Sequence, residues 1–350
     1  PTSANIKYYA KIVKDNSLRR KLIKLNEEIE NECYLGKESI DTVMDITEKK
    51  VFDLLASRGG GGDYVPIRQV VMNALEKIEK ASKQSGTVTG IPTGFLDLDS
   101  RTAGMQPSDL ILIAARPSMG KTAFVLTMAR TITVDHERPV AFFSLEMSAE
   151  QLMKRLIIAE SGLDGTAVKS GKLTPDQWRH LEVSTKPLGS APLYIDDTPS
   201  LSIFEFRSKA RRLVANAGVK LIIIDYLQLM GSTGRIESRQ QEVSQISRSL
   251  KALARELDVP IIALSQLSRS VEQGTEKKPS LSHLRESGSL EQDADIVMFI
   301  YRDEYYNEDS DKKGQAEIII AKHRNGATGS VDLSFRKEFT KFGNLSRMPG

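Results

Sequence analysis

The 350-residue sequence predicts an α/β protein built around a mainly parallel central sheet, with a helical segment in front of it. Six short runs rich in β-branched residues are apolar without interruption, which indicates strands covered on both faces. Helical stretches such as 239–258 separate several of these runs, as expected when crossover helices join parallel strands. A Gly-Lys-Thr triplet follows the first run and opens a helix, which is typical of a phosphate-binding turn.

The composition is that of an ordinary soluble protein, with 40% hydrophobic and 27% charged residues. A net charge of only +3 indicates that any nucleic-acid site is local rather than a property of the whole surface. The single cysteine excludes a disulfide framework and a cysteine-based zinc site, and the four histidines are scattered without ligand spacing. No apolar run approaches the roughly 18 residues that a membrane span needs, and no signal peptide is evident, so we expect a cytoplasmic protein without a membrane partner.

Residues 1–58 form the first predicted division of the chain. They carry apolar residues at helical spacing with many charges between them, which predicts helices with little core of their own. Because the chain does not begin with Met, we interpret this segment as the remainder of an N-terminal domain whose head is missing.

Residues 59–89 are predicted to be a flexible linker that contains an amphipathic helix. Four consecutive glycines, 59–62, have minimal stiffness and indicate a linker, a designed join being the alternative. Pro66 suits a first helical turn, and an apolar stripe at helical spacing follows it: Ile67, Val70, Val71, Ala74, Leu75 and Ile78. This stripe either packs on its own domain or docks on a neighbouring subunit, and the pattern alone favours neither.

Residues 90–350 form the predicted α/β domain. Its strands are expected at 110–115, 140–145, 221–226, 260–266, 295–301 and 316–321. Ligands of such sheets bind at the carboxyl ends of the strands, so candidate site residues are sought there.

The segment "LILIAARPSMGKTAF", residues 110–124, predicts a phosphate loop. The pattern G-x-x-x-x-G-K-[ST] arranges backbone N–H groups around a polyphosphate at a helix N-terminus, which assigns 118–123 (Ser118, Met119, Gly120, Lys121, Thr122, Ala123) to nucleotide binding. Lys121 would reach the outer phosphates, and the Thr122 hydroxyl would bind Mg²⁺. Ala115 stands at the first glycine position, where a small residue suffices because no side chain touches phosphate.

Three polar residues follow other predicted strands. Asp225 ends an aliphatic run and is expected beside the Mg²⁺ held by Thr122. Glu146 is a candidate to deprotonate the attacking water, and Gln266 to sense the γ-phosphate. Carboxylates also follow strands as helix caps, and this alternative stays open for Glu146 in particular.

Several long segments, in the same order as in the family, resemble the bacterial replicative DNA helicases of the DnaB type across about residues 86–345. They are "ARPSMGKTAF", "FSLEMS", "IIIDYLQLM", "RQQEVSQISRSLKALARELDVPIIALSQLSR", "LRESGSLEQDADIVMF" and "IIIAKHRNGATG". The helical segment and linker helix are also similar to that family. The resemblance implies a RecA-like P-loop ATPase core that assembles as a homo-hexameric ring around single-stranded DNA.

The resemblance also implies site residues. It assigns Lys121 and Thr122 to phosphate and Mg²⁺, Glu146 to the catalytic base, Asp225 to the metal and Gln266 to γ-phosphate sensing. Lys322 and Arg324 match the pair that reaches an ATP bound by the adjacent subunit, although composition alone favours a solvated basic turn. Arg285, Glu286 and Gly288 match the loop that faces DNA in the central channel.

The resulting hypothesis is an ATP-driven replicative helicase that moves on single-stranded DNA and unwinds duplex. ATP and Mg²⁺ are the expected cofactors, and a helicase loader and primase are expected partners, primase only if the missing head is not required. The polar loops at 231–240 and 267–280 have no aromatic ladder for stacking bases, which favours tracking of the DNA backbone. The alternatives are a RecA-type recombinase filament and a nucleotide-switched scaffold that does not unwind.

Overall fold

The computed structural model describes residues 6–37, 40, 42–44, 46–47, 50–51, 54, 66–83, 88–231, 239–272 and 277–345. The chain divides into two compact units, Pro1–Lys83 and Gln84–Gly350. The predicted Gly59–Gly62 linker lies outside the described residues. The finer division into 1–58, 59–89 and 90–350 stays a prediction.

Helices form the described part of the first unit. Helix α1 spans Ile6–Leu35 and helix α2 spans Ile67–Lys83, as the helical spacing predicts. The apolar stripe of α2 is exposed, with exposed fractions between 45% at Val70 and 76% at Ile67. None of the described helices is long and apolar enough to cross a membrane.

One nine-stranded sheet organises the second unit, in the order β3-β2-β4-β5-β1-β6-β7-β8-β9. The strands, in chain order, are β1 Leu110–Ala115, β2 Val140–Ser144, β3 Leu193–Asp196, β4 Leu221–Asp225, β5 Ile261–Gln266, β6 Ile296–Tyr301, β7 Gln315–His323, β8 Gly329–Arg336 and β9 Lys341–Asn344. All pairings from β3 to β6 along this order are parallel, and β7 to β9 add an antiparallel edge. The predicted mainly parallel α/β core is therefore confirmed.

Helices cover both faces of this sheet. In chain order they are α3 Leu96–Thr102, α4 Lys121–Arg130, α5 Ala149–Ser161, α6 Gly165–Ser170, α7 Pro175–Ser190, α8 Ile203–Ala217, α9 Arg239–Leu257 and α10 Gly288–Asp293. Alternate residues of β1 enter two different cores. Ile111 and Ile113 pack in the core that contains Phe124 of α4, whereas Leu112 packs in the core that contains Leu250 of α9. Burial on both faces explains the uninterrupted apolar runs.

Three strands, β3, β8 and β9, were not expected from the sequence. Strand β3 is a short edge strand with partly exposed residues, so it lacks a continuous apolar run. Strand β8 instead alternates, burying Val331, Leu333 and Phe335 while the residues between them are more exposed. Such alternation is the pattern of a half-buried antiparallel strand and was the available signal.

Candidate nucleotide site

The phosphate loop connects the end of β1 to the start of α4. Ala115 is the last residue of β1, and Lys121 is the first residue of α4. Gly120 between them has φ +97°, and a Cβ there would lie 3.1 Å from the Phe342 ring. Glycine is therefore required at position 120 for both backbone conformation and space. Ala115 is an ordinary strand residue, which explains why alanine serves where the motif usually has glycine.

The Lys121 ammonium group is held inside the turn. Its Nζ donates to the Ala115 carbonyl oxygen over 3.1 Å. Burial lowers the pKa of Lys121, and the nearby carboxylates of Asp225 and Glu146 oppose that effect. A desolvated cation beside two carboxylates, in a loop that leads to a helix N-terminus, is suited to binding a polyphosphate.

Asp225 and Thr122 bring two oxygen donors together at the edge of the sheet. The Thr122 hydroxyl donates to Oδ2 of Asp225 over 2.7 Å, and only 1% of Asp225 is exposed. Burial raises the pKa of Asp225; the hydrogen bond from Thr122 lowers it, and the charge of Glu146 raises it further. Hard oxygen ligands in contact are what Mg²⁺ prefers, with water and phosphate oxygens completing its shell. This pair therefore fits the expected metal.

Glu146 and Gln266 line the same cleft as Lys121, Thr122 and Asp225. The cleft has a volume of about 500 Å³. Parallel register produces this arrangement, because Ser144 of β2 lies beside Asp225 of β4, and Ala115 of β1 lies beside Gln266 of β5.

The turn that carries Glu146 is fixed by hydrogen bonds. The Ser144 hydroxyl donates to the Met147 carbonyl oxygen over 2.6 Å, and Ser148 then caps α5 in a capping box with Gln151. Glu146 therefore precedes the cap of α5 and is not itself the cap, which removes the alternative considered from sequence for this residue.

Of the loop residues expected to bind nucleotide, Ser118, Gly120 and Ala123 line the cleft. Met119 differs, because its side chain is buried in the core and its N–H donates to the Arg116 carbonyl oxygen over 3.4 Å.

Lys322 and Arg324 lie at the amino ends of the parallel strands, whereas this cleft lies at their carboxyl ends. Lys322 pairs with Val297 at the beginning of β6, and the Arg324 guanidinium lies 3.3 Å from a carboxylate oxygen of Asp295. Asp295 in turn accepts from the N–H of Leu110, the first residue of β1. The five residue steps from Leu110 to Ala115 along β1 therefore separate Arg324 from its own phosphate loop, a distance of roughly 17 Å at about 3.3 Å per step.

For the expected DNA-binding residues, the structure describes the backbone and not the side chains. Leu281–Ser287 forms a 3-10 segment, and Gly288 begins α10. Leu284 and Leu290 anchor this region in the core. The side chains of Arg285 and Glu286 lie outside the described residues.

Sequence reasoning missed several residues around the cleft. Arg116, inside the phosphate loop, makes two hydrogen bonds to Glu272 over 2.9 and 3.2 Å and one to the Leu267 carbonyl oxygen over 2.8 Å. A charged residue within the loop was the available signal. Arg155 of α5 and Phe339 of the β8–β9 turn line the cleft itself, and no local pattern marks them.

Three features define the class of protein. They are a phosphate loop after β1, an aspartate at the end of β4 that contacts the loop threonine, and a polar residue at the end of β5, the strand between β1 and β4. The second unit is a P-loop nucleotide-binding domain with a RecA-like sheet. In the part of the chain that the structure describes, no group of three His, Cys, Asp or Glu side chains is arranged to hold a metal by itself.

The family is shown by comparison with known proteins. Residues 90–344 match the DnaB-like helicase C terminal domain. The replicative DNA helicase DnaB of Geobacillus stearothermophilus is 51% identical over 348 residues, which cover 99% of this chain and 76% of that protein. The replicative DNA helicase DnaC of Bacillus subtilis (strain 168) is 48% identical with the same coverage. The chain belongs to the family of DnaB-like replicative DNA helicases.

Solved structures agree with this assignment. A structure of a DnaB-like replicative helicase and its interactions with primase has 37% sequence identity and a TM-score of 0.81, covering 99% of this chain and 80% of that one. A second solved structure, an isolated ATPase domain, has 43% identity and a TM-score of 0.77, covering 81% of this chain and 100% of that one. The resemblance, the RecA-like fold and the helicase class expected from sequence are confirmed.

Proposed function

We propose that the chain is the subunit of a homo-hexameric ring that hydrolyses ATP, moves along single-stranded DNA and unwinds duplex at the replication fork. One observation carries this proposal: Lys121, Thr122, Glu146 and Asp225 line a single cleft, while Arg324 lies at the far edge of the same sheet. A complete hydrolytic site then requires two subunits, as in a closed assembly of head-to-tail contacts.

Within the cleft each residue has a distinct role. Lys121 and the loop N–H groups bind the phosphates, and Thr122 and Asp225 would hold Mg²⁺. When bound, the metal neutralises charge on the phosphate oxygens. Glu146 accepts the proton of the attacking water, and Gln266 senses the γ-phosphate from the strand between Asp225 and the phosphate loop.

Lys322 and Arg324 are proposed to complete the site of the adjacent subunit. Lys322 at present donates three hydrogen bonds, over 2.6, 3.2 and 2.7 Å, to the carbonyl oxygens of Glu291, Gln292 and Ala294 near the end of α10. The Arg324 side chain is 63% exposed, so it is accessible to a neighbour. An arginine supplied in this way stabilises the charge that develops on the transferring phosphoryl group.

The apolar stripe of α2 is proposed to dock on a neighbouring subunit. The exposed fractions of Leu75 and Ile78 are 56% and 64%, although both are large aliphatic residues. Covering such a stripe in each subunit would close the ring through repeated contacts. The division into residues 1–58, linker 59–89 and ATPase domain 90–350 is part of this proposal.

Single-stranded DNA is proposed to contact Arg285, Glu286 and Gly288. Arg285 would pair with a phosphate, and the backbone N–H groups near Glu286 and Gly288 would bind phosphate oxygens. Such contacts carry no base information, which suits a motor that must move along any sequence.

A helicase loader and primase are proposed as protein partners, and the cytoplasm, where bacterial DNA is replicated, as the location. The interaction with primase is described for the similar solved structure and is proposed for this chain only by analogy.

Two measurements test the proposed function together. ATP hydrolysis should be stimulated by single-stranded DNA and absent in Lys121→Ala, and the native mass with nucleotide should be that of six subunits. Open filaments would instead indicate a recombinase, and nucleotide binding without DNA-stimulated turnover would indicate a switched scaffold.

A further inference from the structure

Ser118 occupies a backbone conformation that normally belongs to glycine. Its φ is +66°, and it follows Pro117 in a turn closed by a hydrogen bond from the Met119 N–H to the Arg116 carbonyl oxygen. A turn with proline at its second position and positive φ at its third favours glycine at that third position. Serine is strained there, so contacts around the loop must hold it in place.

Arg302, which lies outside the loop, supplies one of those contacts. It follows β6, is only 6% exposed and does not line the nucleotide cleft. Its Nη1 donates to the Ser118 carbonyl oxygen over 3.4 Å, the two positions being 184 residues apart in the chain.

The Arg302 side chain is itself held on two sides. Its Nε donates to Glu304 over 3.2 Å, and its Nη2 forms an ion pair with the same carboxylate oxygen. Its guanidinium lies over the Phe335 ring, 4.0 Å from the centroid. Glu304 is fixed in turn by the N–H of Gly314 over 2.9 Å. A planar guanidinium can make these contacts simultaneously, whereas an ammonium group cannot.

We infer that Arg302 is a positioning residue that holds the phosphate loop in its nucleotide-binding conformation. The peptide plane between Ser118 and Met119 is rigid, so fixing the Ser118 carbonyl oxygen also fixes the direction of the Met119 N–H. Phe335, which Arg302 covers, lies with Phe342 directly against Gly120 at the other end of the loop. The loop is therefore supported at Ser118 by Arg302 and at Gly120 by the two rings.

This inference rests on the proposed binding of a nucleotide by the loop, and it predicts an effect on affinity more than on turnover. Without Arg302 the strained turn would populate other conformations, and the apparent dissociation constant would rise as the binding-competent fraction falls. Bound phosphates would restore the loop, so kcat should change less than KM. Holding a residue other than glycine in the left-handed region costs about 1–2 kcal/mol, which corresponds to roughly tenfold in affinity.

The test measures ADP binding by the full chain, because this requires the loop but neither hydrolysis, ring assembly nor DNA. Arg302→Lys should weaken binding about tenfold, and KM for ATP should rise by a similar factor with kcat changed less than about threefold. Arg211→Lys is the matched control, since Arg211 also uses Nε and Nη2 to bind one carboxylate, that of Glu256, over 2.7 and 3.1 Å, and does not line the cleft.

The Ser118→Gly background separates positioning from a general effect on the core. Glycine adopts the left-handed conformation without strain, so Arg302→Lys should weaken ADP binding less than about threefold when compared within that background. Glu304→Gln, which removes the charge that anchors Arg302, should behave as a weaker version of Arg302→Lys and serves if the latter does not fold.

Unchanged ADP affinity in folded Arg302→Lys, or an equal loss with and without Ser118→Gly, would overturn the inference. ADP binding by an unsubstituted chain that cannot hydrolyse ATP would contradict the proposed function alone. Failure of the unsubstituted chain to bind ADP would overturn both.

Discussion

Arg324→Ala should abolish ATP hydrolysis while leaving ATP binding intact. Arg324 lies roughly 17 Å along β1 from its own phosphate loop, so it is not available to a nucleotide bound by the same subunit. An arginine supplied in trans contributes about 10³–10⁵-fold to the rate of phosphoryl transfer. Its ion pair with Asp295 is exposed on the arginine side and contributes at most about 1 kcal/mol, so the variant should stay folded.

Mixing Arg324→Ala with Lys121→Ala subunits tests the trans role. Neither variant is active alone, because the first lacks the arginine that is supplied in trans and the second lacks the phosphate loop's lysine. In randomly mixed rings made from equal amounts of the two variants, an interface is complete when an intact phosphate loop faces an intact Arg324. Such an interface joins the loop of an Arg324→Ala subunit to the arginine of a Lys121→Ala subunit. It occurs at roughly one interface in four if subunits assort independently in a head-to-tail ring.

The assay is ATP hydrolysis per subunit as a function of mixing ratio. Activity should pass through a maximum near equal amounts and reach up to about a quarter of the unsubstituted rate if interfaces act independently. Arg138→Ala is the matched control, since Arg138 is an exposed arginine before β2, at the same edge of the sheet as Arg324. If rings shown by mass to contain both variants recover no activity, the trans assignment is wrong.

The remaining predictions concern the cleft, the sheet edge and helix α2. Glu146→Gln should bind ATP but turn it over about 10²–10⁴-fold more slowly, since an amide cannot take the proton; lost ATP affinity in a titration would instead make it structural. Asp225→Asn should lose hydrolysis through the metal, and near-normal rates at saturating Mg²⁺ would remove that role. Burial, and then the charge of Asp295, raise the pKa of Asp109 to about 6. The ionised carboxylate therefore lowers the stability of the fold above that pH and has no such effect below about pH 4. Asp109→Asn should raise the free energy of unfolding by up to roughly 3 kcal/mol at about pH 7.5 but little at about pH 4. Equal gains in urea titrations at the two pH values would contradict this. Leu75→Asp with Ile78→Asp should leave core melting unchanged but reduce the oligomer's mass and its DNA-stimulated ATPase, because burying unpaired carboxylates is unfavourable. Intact, fully active hexamers would show that α2 packs on its own domain and not on a neighbouring subunit.

Residues at strand ends were predictable because the strands themselves were. Uninterrupted apolar runs indicated β1, β2, β4 and β5, and parallel pairing then requires the residues after them to meet at one edge. This explains why Asp225 and Gln266 could be expected near the phosphate loop from a single sequence.

Long-range support of the loop could not be predicted in the same way. Arg302 and Glu272 reach the loop from positions more than 150 residues away, through turns whose course no local pattern specifies. The left-handed conformation of Ser118 was hidden for a related reason, because the residue most often found there is glycine.

Lys322 and Arg324 lie at the amino ends of the parallel strands because β7 runs antiparallel to β6. Composition alone suggested a solvated turn, and only the strand register places this turn at the amino ends of the parallel strands. The resemblance to a helicase family implied a trans role, and the geometry gives that role a physical reason.

Strand displacement on a forked DNA duplex measures the unwinding activity itself. The chain should release the displaced strand when ATP and Mg²⁺ are present, and it should release none with Glu146→Gln at the same concentration of hexamer. ATP hydrolysis by assembled rings at a normal rate, with no strand released from the fork, would contradict the account.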